Sequence, residues 1–282
     1  MQKCMGQQRR STVPISRFLR QASSMTRRAF LGLIAGGPAL GALAGCTRPA
    51  QVAQPAPRRK IRAICFDLFT LFDPRGVVTR AKRYLPEQAA ELCDAWRARQ
   101  FEYAFIRASA GQYLDFERVT ADALEFALRA KKLELAPEAR RELVRAYSEL
   151  DPWPDTRAQL TAFRQAGLRL APLANYSPSM LERLLAHSAL ESFFEAQLST
   201  DLVRGYKPEP RAYALGPDRL RLAREEIAFS AFGGWDAAGA KWFGFPTFWV
   251  NRLGVAQEEL APGPDATGPT LSELADFIAR WA

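Results

Sequence analysis

The chain has 282 residues, 48% of them hydrophobic, and carries 39 Lys and Arg against 30 Asp and Glu, a formal charge of +9. Residues 1 to 45 hold seven of the basic side chains (Lys3, Arg9, Arg10, Arg17, Arg20, Arg27, Arg28) and no acidic one, so +9 less those seven leaves +2 for the remainder. The high charge is thus a property of the leader and gives no argument for a nucleic-acid partner. Cys4 and Cys46 fall in or at the end of that leader, which leaves Cys65 and Cys93. Two cysteines make no disulfide framework, and burial is the expected fate of each.

The first stretch reads as an address. Met25-Thr26-Arg27-Arg28-Ala29-Phe30-Leu31 sets paired arginines before an apolar segment that runs to Gly45, the pattern of a twin-arginine export signal. It ends in Leu43-Ala44-Gly45-Cys46, the form of a bacterial lipobox, with Cys46 as the lipidated residue. Gly36-Gly37-Pro38 breaks the segment and argues against a retained membrane helix. Arg48 to Pro57 is rich in Pro and Ala and suits a tether. Residues 1–46 are therefore expected to be an export signal and 47–59 a linker, with the rest anchored by lipid in the periplasm or at the outer membrane. The sequence before Met25 is basic and aperiodic, and Met1 and Met25 both stay open as the start.

The run from Ile61 to Phe66 is short, apolar and β-branched, and predicts a buried strand followed by the turn formers Asp73-Pro74-Arg75-Gly76. Asp67 ends that strand, where open α/β sheets place their ligand crevice. From this segment alone it is either a nucleophile or a cap for the next helix. Apolar residues spaced by three and four then predict helices over 87–106, 118–132 and 137–150, a helical insert. From Asp151 the pattern alternates: helix 157–166, strand 168–174, helix 178–190, strand 196–199, helix 210–220, strand 227–231, helix 237–243, strand 247–250 and helix 271–281. Strands separated by helices of this length predict an α/β fold with a parallel sheet and right-handed crossovers.

The single histidine, His187, lies near a helix C-terminus and cannot alone build a triad or a metal cluster. Trp242, Phe243, Phe245, Phe248 and Trp249 are read as sheet core. No Walker loop, dinucleotide fingerprint or zinc spacing is present.

Six segments, in order, carry a resemblance. They are Phe66-Asp67-Leu68-Phe69-Thr70-Leu71-Phe72-Asp73; Trp96-Arg97-Ala98-Arg99-Gln100-Phe101-Glu102-Tyr103; Gln112-Tyr113-Leu114-Asp115-Phe116; Asn175-Tyr176-Ser177-Pro178; Tyr206-Lys207-Pro208-Glu209-Pro210-Arg211-Ala212-Tyr213; and Trp235-Asp236-Ala237-Ala238-Gly239-Ala240 running on to Asn251-Arg252. From about Arg62 to Trp281 the chain resembles the type II (S)-2-haloacid dehalogenases of the haloacid dehalogenase superfamily. The resemblance implies a Rossmann-like core over 60–75 and 151–282, with an inserted helical cap over 76–150.

It also implies a reaction. Asp67 would attack C2 of a short 2-haloalkanoate, expel halide with inversion and form an aspartyl ester that water cleaves. Lys207 would pair with Asp67 and keep it ionised, and Asp236 would position Lys207 or the water. Arg97, on the cap, would bind the departing halide or the substrate. Asn175 and Tyr213 would supply polar groups to the same pocket, although core packing is an equal reading for Tyr213. Phe69 stands where phosphatases of the superfamily carry a second Asp, and halide needs no proton to leave. No metal or cofactor is implied. The partner would be a small 2-haloacid, with a homodimer compatible with the family.

Four departures stand out. The family's Gly between the aromatic and the Thr is missing after Phe69, and polar family residues fall on Ala174, Ala231 and Gly233. Loss of one preorganised donor typically costs on the order of 3 kcal/mol in a transition state. Ester hydrolysis is therefore expected to be weaker than attack. Two other functions are open at this level: a weakened or inactive lipoprotein that binds carboxylates or other anions, and a Mg²⁺-dependent phosphatase, which Phe69 and Gly233 disfavour.

Overall fold

Ala63–Phe66 (β1) is buried at every position, and the two sides of its pleat enter different cores. Ile64 and Phe66 belong to one hydrophobic cluster, Ala63 and Cys65 to another. A strand covered on both faces has to be apolar throughout, which is why it reads as an unbroken run and not as an alternation. The computed structural model describes residues 60–281; the expected export signal, Cys46 and the linker lie outside the described residues. Among the described residues no helix is long and apolar enough to cross a membrane.

After β1 come α1 (Leu68–Leu71), α2 (Gly76–Ala81), α3 (Ala89–Ser109), α4 (Phe116–Lys131) and α5 (Pro137–Ala146). The chain then alternates through α6 (Thr156–Gln165), β2 (Arg169–Ala174), α7 (Pro178–Ser188), β3 (Leu198–Ser199), α8 (Pro210–Leu220), β4 (Ile227–Ala231), α9 (Gly234–Phe243), β5 (Thr247–Val250), β6 (Ala266–Gly268) and α10 (Leu271–Ala279). All six strands are parallel, in the order β3-β2-β1-β4-β5-β6. Because β1 has β2 on one side and β4 on the other, the order reverses at β1. In doubly wound sheets ligands bind beyond the carboxyl end at such a reversal, and the next residue is Asp67.

The helices α2 to α5 fall between β1 and β2. Trp96 on α3 donates its indole N–H to the Thr120 carbonyl of α4 at 2.8 Å, and Gln100 reaches Thr120 Oγ1 at 2.6 Å. The root of this insert is pinned where the chain leaves and returns: Phe72 and Pro152 form an antiparallel bridge, and Asp73 N–H donates to the Asp151 carbonyl at 2.9 Å.

The expected strands and helices are present with shifted ends, while α1, α2 and β6 were not expected. A four-residue helix is too short to show a period of 3.6, and β6 is a three-residue edge ending in Gly268. Trp242 corrects the sheet-core reading of the aromatic run. It is 53% exposed, whereas Phe245, Phe248 and Trp249 are buried. It lies on the outer side of α9, where its indole donates to the Ala261 carbonyl.

An isolated one-turn helix is unstable and leaves its last carbonyls unpaired; α1 has each of them held from outside. The Trp153 indole donates to Phe69 O at 3.0 Å, Arg252 donates to Thr70 O through Nη2 at 2.8 Å and Nε at 3.1 Å, and Thr156 Oγ1 donates to Leu71 O at 2.7 Å. Arg252 lies over the Trp153 ring and donates from Nη1 to Asp155 Oδ2 at 3.0 Å. The loop shortened by the missing Gly is thus clamped at its carbonyl end. Arg252→Ala should lower stability by about 3 kcal/mol, because it strands the half-buried Asp155 and unpairs Thr70 O. The measurement is the urea midpoint at unchanged slope, and a midpoint equal to that of the parent protein would contradict the clamp.

Candidate active site

Of the two sequence readings of Asp67, the helix cap is seen directly. Its backbone is extended at the N-cap of α1 and its Oδ2 accepts the Phe69 N–H at 3.2 Å. The other oxygen, Oδ1, accepts Lys207 Nζ at 2.7 Å. Both oxygens of Asp67 are thus engaged, one by a backbone N–H and one by an ammonium.

Lys207 is 1% exposed and donates with a second N–H to Asp236 Oδ2, also at 2.7 Å. Burial works against the ammonium, but the facing carboxylates Asp236 and Asp67 outweigh it and hold Lys207 above its ordinary value. For Asp236 burial wins. Its carboxyl is pushed up to about 6, with the negative charge of Asp67 adding to the rise and Lys207 opposing it.

Asn175, at the end of β2, does more than face substrate. Its Oδ1 accepts the backbone N–H of Lys207 at 2.8 Å and the Thr200 hydroxyl at 3.4 Å. Two donors fix which end of the amide is oxygen. The NH₂ has no partner among the described residues, and Asn175 lines the cavity over Asp67.

Tyr213 corrects the expectation that it lends its hydroxyl to the pocket. It is fully buried and outside the cavity lining, and its hydroxyl donates to Asp236 Oδ1 at 2.7 Å. It acts behind Asp236, on a carboxylate and not on a ligand. Gly239 makes room for that contact. A Cβ there would come within 2.6 Å of both the Tyr213 hydroxyl and Pro208 Cβ, so α9 can approach the Lys207-Pro208 segment only with glycine at this turn.

The cavity has a volume of about 30 Å³. Phe69, Asp67, Asn175 and Asp236 line it from the core side. Arg97 reaches in from α3, its guanidinium 6.0 Å from the Phe69 ring and 5.7 Å from that of Phe232. Neither an ion pair nor a hydrogen bond engages Arg97 among the described residues. Arg99, by contrast, turns outward to Glu102 and the face of Phe126. Of the replaced family positions, Ala174 and Gly233 line the cavity, whereas Ala231 is buried in the core layer that holds Phe229 and Trp249. The expected loss of a pocket hydroxyl at Ala231 is therefore corrected: its side chain lies outside the lining. Sequence reading passed over Phe232, Phe101 and Trp235 as cavity walls. Spacing gives no signal for them, since an aromatic on a helix face or in the loop after a strand is indistinguishable from core.

Among the described residues no three His, Cys, Asp or Glu side chains converge as metal ligands would. What the arrangement offers is a carboxylate facing a small, largely ring-lined space, a guanidinium across that space, and a second carboxylate on the other side of the Lys207 ammonium.

This fold is that of a hydrolase family. A model described as haloacid dehalogenase-like hydrolase matches residues 61–244, and the chain belongs to that family. It is 39% identical over 222 residues to haloacetate dehalogenase H-2 of Moraxella sp. (strain B), covering 78% of this chain and 99% of that protein. It is also 39% identical over 223 residues to an (S)-2-haloacid dehalogenase of Pseudomonas sp. (strain YL), covering 79% and 96%. The structure of L-2-haloacid dehalogenase from Xanthobacter autotrophicus with chloropropionic acid covalently bound is similar with a TM-score of 0.74 at 32% identity, over 79% of this chain and 100% of that one.

The Tyr213 hydrogen bond favours the ionised form of Asp236, so its removal must move the carboxyl further upward. Difference infrared titration should show Asp236 changing state near pH 6. In Tyr213→Phe the midpoint should rise by about one pH unit, the value of one hydrogen bond to a charged group. A midpoint that stays put or falls would remove Tyr213 from the account.

Proposed function

We propose that the chain hydrolyses short (S)-2-haloalkanoic acids to (R)-2-hydroxy acids through an ester on Asp67. The observation that carries this reading is the Asp67 carboxylate, held by Lys207 at 2.7 Å and bordering a small, largely ring-lined cavity that Arg97 enters from the other side. In the first step an Asp67 oxygen forms a bond to C2 while the carbon–halogen bond breaks on the opposite face. The halide leaves with the bonding pair and the carbon inverts. No proton is needed, which agrees with Phe69 in place of a general acid. Arg97 stabilises the halide or the substrate carboxylate, and the free NH₂ of Asn175 is a second donor.

In the second step water adds to the ester carbonyl and the bond between Asp67 Cγ and the substrate oxygen breaks. One proton of the water passes by way of Asp236 to the departing oxygen and the other is released to solvent, so that Asp67 regains a carboxylate with one oxygen from water and the 2-hydroxy acid departs. Asp236, which shares Lys207 with Asp67 and lines the same cavity, serves as the base. Esterification removes the charge of Asp67, one of the influences that raise Asp236, and leaves Lys207 to Asp236 alone. The base thereby becomes more fully ionised when it is needed. Ala174 and Gly233 contribute no side-chain donor to hold the water, and hydrolysis is the slower half.

The reading extends to the leader: Arg27-Arg28 and Leu43-Ala44-Gly45-Cys46 support export by the twin-arginine route and a lipid anchor on Cys46. Labelled palmitate should enter the parent protein and not Cys46→Ser.

Purified residues 47–282 with (S)-2-chloropropionate should release a rapid first equivalent of halide followed by slower turnover, with the substrate mass found on Asp67 by intact mass spectrometry. Asp67→Asn should abolish both signals. Absence of halide release and of adduct with haloacetate and with 2-halopropionate alike would refute the dehalogenase reading.

A further inference from the structure

The cavity over Asp67 is far smaller than the substrate it is proposed to receive. Its volume of about 30 Å³ is room for roughly two waters, one water needing about 10–15 Å³ of such space. Even a haloacetate has five heavy atoms. We infer that Phe232 closes the site on two-carbon acids, making the chain selective for haloacetates over 2-haloacids that carry an alkyl group at C2. The inference rests on the dehalogenase reading of Asp67 and adds the size of the substrate.

Phe232 follows β4 and is 6% exposed. Its ring stands edge-on to Phe69, the side chain two residues after the nucleophile, with centroids 5.7 Å apart, and at the same distance from the Arg97 guanidinium. It thus sits between the nucleophile loop and the cap arginine.

The ring cannot withdraw cheaply, because its backbone is tied on both sides. The Trp249 indole donates to the Phe232 carbonyl at 2.8 Å. The next residue, Gly233, is the N-cap of α9, and its carbonyl accepts the N–H groups of Asp236 and Ala237 at 3.1 and 3.0 Å. Shifting the Phe232 backbone away would drag the start of α9 and with it Asp236, and the ring itself is held edge-on against Phe69.

The facing walls are interlocked too. The Tyr176 hydroxyl donates to the Tyr147 carbonyl at 3.0 Å, and its ring stacks on Phe116. Trp235 is packed by Phe101 and Phe105, each with centroids at 5.4 Å. Either acid must displace these interlocked walls, a methyl group at C2 demands more displacement than a haloacetate does, and overpacking such a site is costly.

The test compares kcat/KM for halide release from chloroacetate and from (S)-2-chloropropionate in the parent protein, Phe232→Ala and Phe232→Leu, each checked by its melting curve. The two substrates share a leaving group, and their difference in intrinsic reactivity is the same in every variant. The chloroacetate-to-chloropropionate ratio should fall at least about tenfold from the parent to Phe232→Ala, the lower end of what one methyl group commands in an apolar pocket. Phe232→Leu should lie between and carries the comparison if the Ala variant does not fold. An unchanged ratio in folded variants, or equal kcat/KM for both acids in the parent, overturns the inference and leaves the dehalogenase reading standing. No halide from either acid overturns both.

Discussion

A single buried ammonium organises this molecule. Lys207 has one carboxylate on each side at 2.7 Å and almost no contact with water. Removing an ion from water costs several kcal/mol, and the attraction of partners offsets that only when the geometry is good. The fold supplies the geometry from four separate elements. Asp67 comes from the end of β1, Asp236 from the first turn of α9, the Lys207 backbone is held by Asn175 at the end of β2, and Gly239 lets α9 come close enough for Tyr213 to complete the second carboxylate. A shift in any one leaves a charge buried without its partner. The tolerance of the site to change is therefore set by electrostatics before it is set by chemistry.

The clamp on α1 follows from the same requirement. With two negative groups sharing one cation, the direction of the Asp67 carboxylate has to be fixed by something other than Lys207. The Phe69 N–H fixes one oxygen, and that amide is placed by a helix of one turn, which cannot hold itself. Trp153, Thr156 and Arg252 hold its carbonyl end from the opposite side. Asn251-Arg252, a motif far along the chain with no evident role in the sequence, thereby becomes part of how the nucleophile is aimed.

Asp67 was legible from its place at the end of a strand, and Lys207, Asp236 and Arg97 through the family resemblance; the structure brings Asp67, Asp236 and Arg97 to one small space, with Lys207 between the two carboxylates. The strand and helix order was legible for a different reason: buried parallel strands are short apolar runs, and their crossovers show a clear period. Tyr213 and Asn175 were harder. A buried hydroxyl or amide can serve a ligand or another side chain, and only the third dimension shows that Tyr213 turns to Asp236 and that the Asn175 oxygen turns to Lys207. Phe232 was not legible at all, since apolar character is the same whether a ring fills a core or narrows a cavity. Trp242 shows the converse, an aromatic beside core residues that nonetheless points outward.

The replaced positions and the small cavity are two views of one change. The segment from Ala231 to Gly233 has lost polar side chains and carries a phenyl ring in the middle. For the proposed attacking step that exchange is favourable: a carboxylate bordered by aromatic rings has less hydration to shed before it reaches carbon, and a fixed N–H group replaces part of the water it loses. For the hydrolytic step it is unfavourable. Space for about two waters and the absence of side-chain donors at Ala174 and Gly233 mean that the incoming water must be ordered by Asp236 and Asn175 alone. The same side chains that sharpen the first half of the cycle therefore slow the second, and the balance between them is set by how much of the cavity Phe232 occupies.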